Sequence, residues 1–221
     1  MAGAASHRQG IGDSDARREP AGGGASGLVI AGVALARGMR VIQPSLTHRM
    51  AAGEITLVTG PNGSGKSTLL RAVAGRLRPM AGSITCAAPI LYVGHADGLA
   101  PPLTGRRNLA DWAGLNGFAA TPDRIETALA KLAAEPFADL PVRMLSRGQR
   151  RRLALARLAL SPPGALWLLD EPAAGLDAAS RRAVDGMIAD HVATGGMVMA
   201  ATHDALATAC GPGELALEAT S

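Results

Sequence analysis

Aromatic side chains are almost missing: two Trp, one Tyr and two Phe in 221 residues leave too few stacking surfaces for a module that grips nucleic acid by its bases. No nucleic-acid partner is expected. A core must come from aliphatic packing, which the abundant Ala, Leu and Val supply. Long hydrophobic runs are missing too. Even residues 153–160 are broken by Arg157, so no segment approaches the roughly 18 apolar residues of a membrane span, and any membrane role is expected to be peripheral. Cysteine is limited to Cys86 and Cys210, far outside metal-ligand spacing, which reads as two reduced thiols of a cytosolic protein. Lysine occurs only as Lys66 and Lys131, so arginine carries nearly all of the net charge of +4. That excess suits an anionic ligand or an anionic membrane surface, and equally an ordinary soluble protein. Residues 1–27 mix Gly, Ala, Arg and Asp without an apolar stretch; they read as a disordered extension ahead of one domain over 28–221.

The remaining pattern is that of an α/β domain. Short β-branched or apolar runs at 28–36, 54–59, 83–86, 90–94, 165–169 and 197–202 are expected strands, with the third and fourth forming a pair. Helical spacing recurs at 67–77, 108–115, 122–134, 147–160 and 178–194. Alternation of this kind implies right-handed crossovers and a largely parallel sheet covered on both faces, with a small helical subdomain inserted at about 100–160.

Gly60-Pro61-Asn62-Gly63-Ser64-Gly65-Lys66-Ser67-Thr68 follows an expected strand and opens an expected helix, the context a phosphate-binding loop requires. Its glycines let backbone N–H groups wrap an anion, and the helix N-terminus adds partial positive charge. Lys66 is the candidate for neutralising β- and γ-phosphate oxygens, Ser67 for ligating Mg²⁺, and Thr68 for a phosphate further out. A loop of this type alone leaves kinases, GTPases and motor ATPases open. Residues 165–169 then deliver adjacent carboxylates: Asp170 to hold the metal, Glu171 to direct the water that attacks the γ-phosphate.

Leu145-Ser146-Arg147-Gly148-Gln149 resembles the LSGGQ signature of the ABC ATPase superfamily, with Arg147 in place of the first glycine. The resemblance implies an ABC-type nucleotide-binding domain of P-loop fold: a mostly parallel central sheet, a small antiparallel β portion and an inserted helical subdomain. It also implies that Ser146, Gly148 and Gln149 of one subunit close over ATP held by the phosphate loop of another. Ala173-Ala174-Gly175-Leu176-Asp177 is similar to the D-loop, with Asp177 coupling the two sites, and Thr202-His203-Asp204 to the switch segment, with His203 contacting the γ-phosphate. His95 stands where the Q-loop usually has glutamine; it could reach the metal shell, or be a solvated loop histidine. Arg37 takes the place of the aromatic residue that commonly stacks on adenine, and its planar guanidinium could stack instead.

Residues 91–99, the pattern Leu-Thr-x-x-x-Asn-Leu at 103–109 and the run 148–158 are together similar to the haem-exporter ATPase family of cytochrome c biogenesis. That likeness implies ATP and Mg²⁺ as cofactors, a homodimer, and a polytopic membrane partner at the cytoplasmic face of a bacterial inner membrane. No Cys-x-x-Cys-His stands in the chain, so no direct haem binding is expected. Three rivals remain: the ATPase subunit of another ABC exporter or of an importer for another solute; a soluble ABC ATPase acting on DNA or ribosomes, for which 221 residues hold neither a long coiled coil nor tandem cassettes; and a P-loop kinase outside the superfamily.

Overall fold

The computed structural model describes residues 27–38, 40–202 and 211–218. The expected extension, Cys210 and His203 lie outside these residues, except for Gly27 at the extension's end.

Two sheets share the work of forming the core. In the first, β1 (Leu28–Arg37) lies between β2 (Arg40–Met50) and β4 (Ala81–Cys86), antiparallel to both. In the second, five parallel strands run in the order β5 (Ile90–Val93), β6 (Leu166–Asp170), β7 (Met197–Ala201), β3 (Ile55–Thr59), β8 (Gly213–Ala216). Parallel direction brings the carboxyl ends of β3 and β6 to one edge, where such sheets bind ligands.

Every residue of β6 and β7 is buried, as expected of strands covered on both faces. Their alternation sorts the core into two halves. Leu166, Leu168, Met197 and Met199 pack with Leu28, Ile30 and Leu69, so one sheet face meets the antiparallel sheet and helix α1 (Lys66–Val73). Trp167, Leu169, Val198 and Ala200 turn the other way and pack with Leu109, Leu129, Leu153 and Ile188. Those partners come from α2 (Gly105–Leu115), α3 (Pro122–Ala130) and α4 (Arg147–Ala156), consecutive between β5 and β6, and from α5 (Ala178–Ala193). No helix among the described residues is long and apolar enough to cross a membrane.

Several local expectations need correction. The strands expected as a pair at 83–86 and 90–94 separate, β4 joining β1 and β5 joining β6. Helix α1 stops at Val73, because Gly75 adopts φ 69° and the N–H groups of Gly75 and Arg76 turn back to the carbonyls of Ala72 and Arg71. The helix expected over 147–160 tightens into a 3₁₀ turn at Arg157–Leu160. Strand β2 has no counterpart in the sequence reading; it carries Pro44, which a strand tolerates at a sheet edge, where β2 lies.

Candidate nucleotide site

The chain leaves β3 through Gly60, whose φ of 135° and surroundings admit no side chain: a Cβ there would come within 2.2 Å of the Leu217 carbonyl oxygen. The loop then reaches Gly65 at φ 103°, the N-cap residue just ahead of α1. Helix α1 has no side-chain cap, and Leu69 is the first residue to bond back, donating to the Gly65 carbonyl at 2.8 Å. The first-turn N–H groups of an α-helix have no acceptor inside it, so the start of α1 offers donors and a partial positive charge. Lys66 Nζ donates to the carbonyls of Gly60 and Pro61 at 2.7 and 3.1 Å, which folds the ammonium over the loop. Gln43 on β2 steadies the loop from behind: its amide donates to the carbonyls of Ser64 and Glu218 at 3.0 and 2.9 Å.

Asp170 ends β6 almost wholly buried, 3% exposed. Ser67 Oγ donates to its Oδ1 at 3.0 Å, whereas its buried Oδ2 has no hydrogen-bond partner. A carboxylate oxygen left without a donor and a hydroxyl beside it are the hard oxygen donors that Mg²⁺ accepts, so these residues fit that ion. Glu171 follows at φ 50°, a left-handed conformation that costs a non-glycine residue about 1 kcal/mol or more. Its N–H donates to the Ala201 carbonyl at 2.8 Å. The phosphate loop, Asp170 and Glu171 border one hollow of about 280 Å³, and Arg37 and His95 border it too. His95 and Glu171 also line an adjacent hollow of about 360 Å³ whose other walls include Arg147, Arg150 and Arg151.

The signature turn stands apart. Neither Ser146, Gly148 nor Gln149 lines the phosphate hollow, and Asp177 does not either. Ser146 and Gln149 cap α4 reciprocally: Gln149 N–H donates to Ser146 Oγ at 3.2 Å, and Ser146 N–H donates to Gln149 Oε1 at 2.8 Å. Gly148 faces the D-loop so closely that a Cβ would lie 3.2 Å from the Gly175 carbonyl oxygen. Asp177 is exposed and caps α5, accepting from the Ser180 N–H at 2.7 Å, and that bond holds its carboxyl below the usual range.

Sequence reading missed Arg151 and Gln43. Arg151 is 4% exposed, and its guanidinium donates to the carbonyls of Gly94, Asp170, Glu171 and Pro172 at 2.8, 2.9, 2.7 and 3.4 Å. The available signal was helical phase: Arg151 lies four residues before the buried Leu155, on the inward face of α4.

Residues 45–174 match the ABC transporter family model. A cytochrome c biogenesis ATP-binding export protein, CcmA, of Rhodospirillum rubrum is 46% identical over 179 residues, covering 76% of this chain and 76% of that protein. The protein of the same name from Hyphomonas neptunium is 44% identical over 178 residues, covering 80% of this chain and 90% of that protein. Among solved structures, an ABC transporter ATP-binding protein of Pyrococcus furiosus superposes with a TM-score of 0.73 at 22% identity, covering 87% of this chain and 98% of that one. An ATP-binding cassette solved as a dimer with ADP and phosphate superposes at 0.70 and 24% identity, over 80% of this chain and 88% of that one. The two structural likenesses establish the fold, and the sequence relatives establish the family: the chain belongs to the ATP-binding subunits of ABC transporters, among the cytochrome c biogenesis ATP-binding export proteins CcmA.

Proposed function

We propose that this chain is the ATP-hydrolysing subunit of an ABC transporter that energises haem export or delivery for c-type cytochrome biogenesis. It works as a homodimer beneath a polytopic membrane subunit, at the cytoplasmic face of a bacterial inner membrane. One observation carries the mechanism: phosphate loop, Asp170 and Glu171 share a hollow that the chain's own signature turn does not line. A second copy supplies that turn, and bound ATP joins the two.

The triphosphate is the substrate, held by the loop N–H groups and the start of α1, with Lys66 moving onto the β- and γ-phosphate oxygens. Arg37 stacks on the adenine. Ser67 and Asp170 would hold Mg²⁺, which would neutralise charge on the phosphate oxygens, and His95, at the border of the same hollow, would serve that ion's shell. Glu171 accepts the proton of the attacking water, while His203 contacts the γ-phosphate from the switch segment. From the other copy, Ser146, Gly148 and Gln149 complete the enclosure with the N-terminus of α4 behind them. Closure follows ATP binding, and hydrolysis removes the contacts that hold the closed state, which is how the membrane subunit is driven.

Glu171→Gln tests this. The variant keeps the shape of the side chain and loses its basicity, so ATP binding persists, hydrolysis falls about 100-fold or more, and ATP-bound dimers accumulate. Wild-type hydrolysis by this variant would overturn the role given to Glu171.

A further inference from the structure

Arg151 sits on the second turn of the signature helix, yet nothing about binding phosphate requires a buried cation there. Burying an unpaired guanidinium is costly, and here every bond it makes is to backbone at a motif of the site or to one acid. Nη2 donates to the carbonyls of Asp170 and Glu171 at 2.9 and 2.7 Å, fixing the chain where Glu171 takes its left-handed turn. Nη1 donates to the Gly94 carbonyl at 2.8 Å and lies 3.5 Å from the Asp97 carboxylate, on the two sides of His95. One turn and a half further on, Arg157 grips the same loop, donating to the carbonyls of Asp97 and Gly98 at 2.9 and 2.8 Å. Signature helix, His95 loop and carboxylate strand are thereby tied through one planar fork, a geometry that a lysine ammonium cannot reproduce.

We propose that Arg151 is a positioning residue that couples the two ATP sites of the dimer. This rests on the two-copy reading above. In that arrangement the signature turn of a chain serves its partner's ATP, while Glu171 of the same chain serves its own. A shift of α4 as the signature engages the partner's nucleotide reaches Glu171 through the Arg151 bonds to its carbonyl and to that of Asp170. The left-handed backbone at Glu171 gives that shift a lever, because a small rotation there re-aims the carboxylate. Displacements of about 1 Å in a catalytic group are enough to cost on the order of 100-fold in rate.

The test uses the full transporter in membranes, with Arg151→Gln and Asp97→Asn beside wild type, reading kcat, the KM for ATP and the Hill coefficient. Arg151→Gln is expected to lower kcat about 10- to 100-fold with the KM for ATP within about twofold, since it touches no phosphate. The Hill coefficient falls to about 1, since the link between sites is cut. Asp97→Asn leaves the Arg157 bonds to the loop in place and shifts kcat and cooperativity the same way by less. Wild-type kcat and cooperativity in Arg151→Gln overturn the proposal. So does a loss of ATP binding equal to the loss of rate, which marks a general collapse rather than a positional effect. Should Arg151→Gln fail to accumulate, Asp97→Asn decides: unchanged cooperativity overturns the proposal, reduced cooperativity at unchanged KM supports it. A wild-type transporter that hydrolyses ATP without cooperativity, its nucleotide subunits remaining monomeric, overturns the two-copy reading itself and is told apart by that control.

Discussion

His191 shows how a polar side chain is kept in the core away from any reaction. Its ring stacks on Trp167 with centroids 3.7 Å apart and planes 4° from parallel, and Nε2 donates to the Ala165 carbonyl at 2.8 Å. Burial lowers its pKa from the ordinary 6.5, the bonds to backbone opposing that only in part. His48 is shifted in the same direction for the same leading reason. In the unfolded chain both imidazoles take up a proton near pH 6.5, whereas the folded ones resist until lower pH. Between those limits the unfolded state binds more protons, so stability is full above about pH 6.5 and declines as pH falls through the folded values. Asp139 and Asp177, whose carboxyls are held below their ordinary 3.8, act only in a lower window. Melting curves taken from about pH 7.5 down to about pH 5 should therefore show a falling midpoint, and His191→Asn should flatten that slope. An unchanged slope in the variant would mean that the stacked imidazole does not titrate in this window.

At the scale of elements, two helix starts are built oppositely. α1 lacks a side-chain cap and keeps its first-turn donors for the hollow, whereas α4 spends Ser146 and Gln149 on each other. Ser146→Ala removes the hydroxyl that receives the Gln149 N–H, and should lower unfolding stability by about 1 kcal/mol, with Ser146→Thr recovering most of it. Denaturant midpoints measure both, and wild-type stability in Ser146→Ala would show the capping box to be energetically idle. The two starts differed in legibility as well. Spacing of the glycines and Lys66 announced the phosphate loop, because that loop is made from backbone and consecutive residues. The run from Leu166 to Asp170 was equally readable as a buried strand. Strand β2 was hidden because Pro44 and the polar Gln43, Ser45, Thr47 and His48 break its apolar pattern, and its place comes from pairing with β1. Arg151 was hidden for a related reason: in Arg150-Arg151-Arg152 three identical side chains share one helix, and while helical phase puts the middle one on the inward face, the carbonyls of Gly94 and Asp170 that receive it come from distant parts of the chain.

On the scale of the whole molecule, a site divided between copies predicts complementation between chains that are each inactive. Lys66→Ala disables a phosphate loop and leaves its own signature intact. Gly148→Asp does the reverse, since a carboxylate at the start of α4 opposes phosphate, and the nearby Gly175 carbonyl, 3.2 Å from a Cβ, leaves the new side chain little room to turn aside. In a mixed two-fold dimer, one nucleotide then meets an intact loop and an intact signature while the other meets neither. Equal amounts that reassort freely give about half mixed dimers with one intact site each, so about a quarter of wild-type turnover should return if intact sites work at their usual rate. Differently tagged chains purified in sequence isolate the mixed species and remove the statistics. Activity in that species requires the loop and signature to come from different chains, because neither chain in it carries both. If the purified mixed dimer binds ATP and remains as inactive as its parents, either each chain completes its own site or the disabled site silences its coupled neighbour, and a mixed dimer of wild type with a chain carrying both substitutions separates the two: it keeps one complete site only if each chain completes its own.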